Sequence, residues 1–241
     1  MNTNRKYAVA VGVLFIIATV FLFIGEAVYG PYLSAPDYLA VTYPNRMAVV
    51  AGILLEFACV IAIPLIAVFL YPVLRKYSAA LAVGYVGFRF FEAVFFLMTE
   101  LNKLSLISVS QLYLGSSGVD ADFFRNLGAS IVARDAWLFT MYVVIFALGA
   151  LIVNVALYRT RLVPRVFSIW GVAAAALMLA GMVMVMFELN VGPLENVWEL
   201  IFASPIAVQE MALALWLIVK GFRQPADAPE AGRTASRVAF G

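Results

Sequence analysis

Histidine is missing from this chain altogether, and cysteine occurs once, as Cys59. The first absence excludes a Ser-His-Asp triad, a histidine zinc site, histidine-ligated haem and any imidazole proton relay. The second excludes a disulfide framework and a cysteine metal cluster. Charge is scarce as well, at 12% of residues with a balance of +2. Such a chain has no basic face for neutralising phosphates, so a nucleic-acid-binding domain is excluded. Apolar residues take up the difference, filling 65% of the 241 positions with a mean hydropathy of +0.99. A soluble domain is about 45–50% apolar, and a chain of this length cannot hide the surplus from water. The composition therefore implies an all-α integral membrane protein whose constant partner is the lipid bilayer.

A helix that crosses a hydrocarbon core of about 30 Å needs about 20 mostly apolar residues. Six such runs occur, at 7–25, 47–71, 79–98, 136–158, 166–187 and 200–219. The first follows Asn4, Arg5 and Lys6 and lacks a small-residue cleavage site before Glu26, so it is expected to be a retained signal anchor. Residues 1–222 are thus expected to form one six-helix transmembrane domain. The remainder, 223–241, is rich in Ala, Pro, Gly, Asp and Arg and reads as a disordered cytoplasmic tail.

Short cytoplasmic loops carry the excess of lysine and arginine. Arg5, Lys6, Arg75, Lys76, Arg159, Arg161, Arg165, Lys220, Arg223, Arg233 and Arg237 all fall on one side of the six spans. The other side holds Arg46, Lys103 and Arg125 among Glu26, Asp37, Glu100, Asp120, Asp122, Glu188, Glu195 and Glu199. A multi-pass membrane protein with both termini cytoplasmic is expected. In its first outer loop, 27–46, Tyr29, Tyr32, Tyr38 and Tyr43 suit the headgroup layer. Between 99 and 130 the helical spacing persists through Leu104, Ile107 and Leu112, then Phe123, Phe124 and Leu127. That pattern predicts a continuation of the third helix followed by a short interfacial helix in the outer 3–4 loop.

An ionisable residue near the bilayer centre costs at least about 2.5–3.5 kcal/mol, so each one needs a partner, water or a role. Six stand out: Glu56, Arg89, Glu92, Arg134, Asp135 and Glu210. At about 1.5 Å per residue, Arg89 and Glu210 fall about 15 Å from the inner face and Glu56 and Glu92 about 20 Å from it. Arg134 and Asp135 fall near the outer end of the fourth span. Arg89 and Glu92 share a helical face, and the same stripe continues through Phe96, Thr99 and Lys103. Glu100 and Lys103 read as an interfacial pair. The six residues carry four negative and two positive charges, so Glu56 or Glu210 is expected to be held protonated or to sit beside a bound cation or water. Pro64 and Pro205 can kink the second and sixth spans, although prolines are common in membrane helices. Ser204, Gln209 and Asn154 either line the same cavity or bond across helices.

GVLFIIATV, LSAPDYL, LYPVLRKY, GYVGFRFFE, ARDAWLF, LVPRVFSIWG and PIAVQEMALALWLIVKGF follow one another along the chain. Together they resemble the bacterial membrane-protein family known as domain of unknown function 4386. The resemblance extends to Phe222 and includes all six charged positions. It implies a six-helix bacterial inner-membrane protein and brings no activity with it. From the residues, the favoured reading is a site that binds or transports a proton, a cation or a small amphiphile, without cofactor or metal. Two alternatives stay open: an intramembrane lipid-acting enzyme using carboxylates, with or without an oxygen-ligated metal, and a structural or accessory subunit whose charges lock the bundle. A retinal protein is disfavoured because no lysine lies in mid-span.

Overall fold

The computed structural model describes residues 3–187 and 199–223. Glu188, Glu195 and the tail 224–241 lie outside the described residues, as does the side chain of Glu199. Among the described residues six helical spans are long and apolar enough to cross a membrane: α1 (Thr3–Leu33), α3 (Arg46–Leu74), α4 (Ala79–Leu114), α5 (Val119–Thr160), α6 (Arg165–Met186) and Ile201–Val219, whose α-helical part is α7. That part runs over Ser204–Val219 and follows a π-helical turn, Glu199–Ala203. A four-residue helix, α2 (Tyr38–Val41), sits in the connection between α1 and α3. Among the described residues there is no strand.

Local chemistry sets the helix ends. Ser78 is extended, and its hydroxyl accepts the Leu81 backbone N–H at 3.3 Å, capping α4. Arg161 adopts a left-handed conformation, φ 54°, where α5 stops. Pro205 stands in the first turn of α7, directly after the π-helical turn, a position that tolerates its missing N–H. Pro64 lies within α3, which runs through it. At the other end of α7 the Arg5 guanidinium donates to the carbonyls of Leu217, Ile218 and Val219. That cap satisfies orphan carbonyls and holds the start of α1 beside the end of α7. We call this the terminal end of the bundle and the opposite one the far end.

Each spanning helix packs on its neighbour in sequence, and α7 returns to α1. Three apolar layers stack along the axis. Ala8, Leu70, Tyr85, Leu157 and Leu217 belong to the layer at the terminal end, and Cys59, Ile63, Phe96, Tyr142 and Met178 to the middle one. Leu39, Leu106, Val109 and Ile131 form a small core at the far end, covered by Leu33, Tyr38, Tyr113 and Phe124.

Three elements exceed the sequence reading. At 1.5 Å per residue, α4 and α5 measure about 54 Å and about 63 Å, so both project well past a hydrocarbon core of about 30 Å. Phe123, Phe124 and Leu127, expected in a separate interfacial helix, form early turns of α5, because no proline interrupts Val119–Thr160. The helix α1 continues eight residues past Gly25, taking in residues 27–33 of the expected headgroup-level loop. Close approach to α3 holds this extension in place. A methyl group at Gly25 would lie 2.5 Å from Glu56 Cγ and 2.8 Å from the Gly52 carbonyl, and one at Gly52 would lie 2.7 Å from the Gly25 carbonyl. Only glycine at both positions permits this crossing, which delivers Tyr29 to Glu56.

Candidate functional site

The buried charges form two tiers along α4. In the first, the Arg89 Nη1 donates to both Glu92 carboxylate oxygens at 2.8 and 3.0 Å, and its Nε donates to the Tyr85 hydroxyl at 2.9 Å. Glu210 on α7 approaches Arg89 Nη2 to 3.5 Å. The rings of Phe15, Tyr85 and Phe146 wall the guanidinium, with centroids 5.7, 5.4 and 5.6 Å from Cζ. Arg89 and Glu92 are 2% and 1% exposed. A planar guanidinium with five fixed donors suits this many-sided role better than a lysine would.

The second tier lies fourteen residues further along α4, about 21 Å toward the far end. Lys103 Nζ donates to Glu56 Oε2 at 2.5 Å and to Glu100 Oε1 at 2.7 Å. The Tyr29 hydroxyl donates to the other Glu56 oxygen at 2.8 Å, and the Tyr29 ring centroid lies 4.5 Å from the ammonium. Thr99 donates to the Phe96 carbonyl at 2.7 Å, with its hydroxyl 3.4 Å from Glu100 Oε1. Glu56, Glu100 and Lys103 are 0%, 2% and 8% exposed. Between the tiers Phe96 stacks on Tyr142, centroids 4.9 Å apart, in the apolar layer that also holds Cys59 and Ile63.

Arg134 and Asp135 stand at the rim of the second tier. Asn102 joins them: its carbonyl oxygen accepts from Arg134 Nη2 at 2.6 Å and Nε at 3.0 Å, while its amide donates to Asp135 at 3.1 Å. Arg134 is exposed and Asp135 half-buried. Elsewhere, the Gln209 amide donates to Asn154 at 3.3 Å and to the Phe167 carbonyl at 3.1 Å, a cross-helix bond joining α7 to α5 and α6.

Of the six charged residues singled out in the sequence, Arg89, Glu92 and Glu210 meet in one tier. Glu56 belongs to the other, and Arg134 and Asp135 flank it. The single charged layer expected from helix depth is therefore two. Arg134 reaches Asn102, and the counter-ion of Glu56 is Lys103. Glu100 and Lys103, expected as an interfacial pair, do pair, at 2.7 Å, and Tyr29, expected in the headgroup layer, packs on the Lys103 ammonium. All three belong to the second tier, which Tyr29 reaches from the α1 extension and where Asp135 of α5 accepts from the neighbouring Asn102. The stripe from Arg89 through Phe96 and Thr99 to Lys103 was the available signal. Tyr85 and Asn102 carried none.

Each tier holds two carboxyl groups and one cation. In the second tier the carboxyl groups of Glu56 and Glu100 converge on the one Lys103 ammonium, and Glu100 Oε2 is buried without a donor. Two facing carboxylates repel, and a proton shared between them or a small cation beside them removes the repulsion. Among the described residues no three Cys, Asp or Glu side chains gather as a metal centre would require.

The family model described as Domain of unknown function (DUF4386) matches residues 10–221. The chain belongs to this family. No curated protein and no solved structure matches it. Both tiers of the DUF4386 chain, from Tyr29 to Glu210, fall inside the matched range.

Proposed function

We propose that this DUF4386 protein binds a proton or a small cation inside the bilayer and passes it between its two charged tiers. The observation that carries this reading is the Glu56–Glu100 pair, two buried carboxyl groups that share one lysine. A triad of net −1 in low dielectric is costly, and uptake of one positive charge neutralises it. The Arg89, Glu92 and Glu210 triad repeats the same stoichiometry near the midplane. The excess of basic residues at the terminal end favours that end as cytoplasmic, which turns the second tier toward the outside of the inner membrane. Phe96 and Tyr142 separate the two stations, as a pathway that must not leak requires.

Purified protein in liposomes carrying an internal pH indicator tests this. A proton or cation gradient should drive flux in the wild type, and Glu56→Gln and Glu210→Gln should each abolish it. Flux in both variants at the wild-type rate would overturn the reading. Absence of flux in every form, with both variants merely less stable, would instead favour ion pairs that only lock the bundle.

A further inference from the structure

Lys103 is held in the way a bound amine would be held. Its ammonium donates to two carboxylates from different helices, Glu56 and Glu100, and packs on the face of Tyr29 with the Phe96 ring centroid at 5.8 Å. Carboxylates combined with aromatic faces are the general recognition chemistry of ammonium ions. The cage still has capacity, because Glu100 Oε2 is buried and meets no donor. Lysine reaches the cage on a flexible four-carbon stem, which can withdraw without moving the backbone. A further carboxylate stands close by: Asp135 on α5 accepts from Asn102, the residue before Lys103, at 3.1 Å.

We propose that the second tier is a site for a primary organic ammonium ion. Lys103 occupies it as a tethered stand-in, and an arriving amine displaces the Lys103 ammonium toward Asp135. The inference rests on the reading of this tier as a cation site and names its ligand class. The charge balance favours the exchange. Glu56, Glu100 and Lys103 sum to −1, so one added ammonium brings the group to zero while Lys103 keeps a carboxylate partner. No covalent bond is made or broken. A primary ammonium has three N–H donors to replace those of Lys103, whereas a quaternary ammonium has none. Such an amine arrives either free in solution or as the headgroup of an aminophospholipid. The tier lies about 27 Å along α3 from Leu74, near the level of lipid headgroups.

The test is thermal unfolding and calorimetric titration of the full chain with n-butylammonium, tetramethylammonium and sodium chlorides at equal ionic strength. The expected result is a saturable rise in Tm with n-butylammonium alone. Asp135→Asn should weaken that binding several-fold, and Lys103→Ala should strengthen it because nothing has to be displaced. Repeating the titration in nanodiscs of phosphatidylethanolamine and of phosphatidylcholine identifies the source. Competition by phosphatidylethanolamine assigns the site to a lipid headgroup, and equal binding in both lipids assigns it to a free amine. If n-butylammonium has no effect on the wild type and on Asp135→Asn, or if sodium does as well, the inference fails, whether or not Lys103→Ala folds. Should Glu56→Gln still abolish flux in that case, the cation reading survives without the amine. Should flux be unaffected too, both fall.

Discussion

Lys103 Nζ and Glu56 Oε2 meet at 2.5 Å, an ion pair that ties α4 to α3 far from either helix's terminal end. A lysine buried against two carboxylates is costly to remove, because the carboxylates stay behind uncompensated. Lys103→Met is expected to destabilise the protein by about 3–5 kcal/mol in detergent unfolding. Adding Glu56→Gln removes one of the stranded charges, so the double variant should be more stable than Lys103→Met alone. A double variant as unstable as the sum of its parts would show that the two residues are not coupled.

Arg89→Lys keeps the charge and loses the fork. One ammonium cannot at once reach Tyr85, both oxygens of Glu92 and Glu210 as the guanidinium does. The expected cost is about 1–3 kcal/mol, the penalty for leaving buried acceptors such as the Tyr85 hydroxyl and one Glu92 oxygen without donors. Equal Tm values for the variant and the wild type would mean that the first tier is less tightly organised than its geometry implies.

Glycines separate into contact and non-contact positions. Gly25→Ala and Gly52→Ala are expected to cost about 1–3 kcal/mol each by forcing α1 from α3. They should also weaken the Tyr29 bond to Glu56. Gly84 has open space where a methyl would go. Gly84→Ala should therefore be neutral or stabilising by up to about 1 kcal/mol through helix propensity. Parallel unfolding of the three variants checks the contrast.

The spans were legible because hydropathy over twenty residues reports directly on the solvent the helix must face. Arg89 with Glu92 was legible because three residues of separation on one helix fixes their proximity before any tertiary structure exists. The second tier was not, since Glu56 and Lys103 are 47 positions apart and meet only through the crossing of α3 with α4. Tyr29 is similar: its tyrosine-rich surroundings suit a headgroup layer, and the Gly25 to Gly52 approach that draws it inward is a relation between two helices. Asn102 gave no sign because an amide bridging Arg134 and Asp135 looks like any other polar residue until both partners are in place.

Sidedness has its own test, made simple by the single buried Cys59. In a Cys59→Ala background, Ser117→Cys lies in the exposed turn between α4 and α5, and Tyr77→Cys in the turn between α3 and α4. A membrane-impermeant maleimide applied to cells with a permeabilised outer membrane should label the first and spare the second until the cells are lysed. The reverse pattern would invert the orientation drawn from the basic loops.

The central claim is that Glu56 and Glu100 together hold one positive charge more than Lys103 supplies. Infrared spectroscopy of the carboxyl stretch in the reconstituted protein at neutral pH, compared with Glu56→Gln and Glu100→Gln, reads this directly. The account predicts a protonated-carboxyl band that both substitutions remove, or, in its place, a retained cation that both substitutions release. Two fully ionised carboxylates with no retained cation would contradict it.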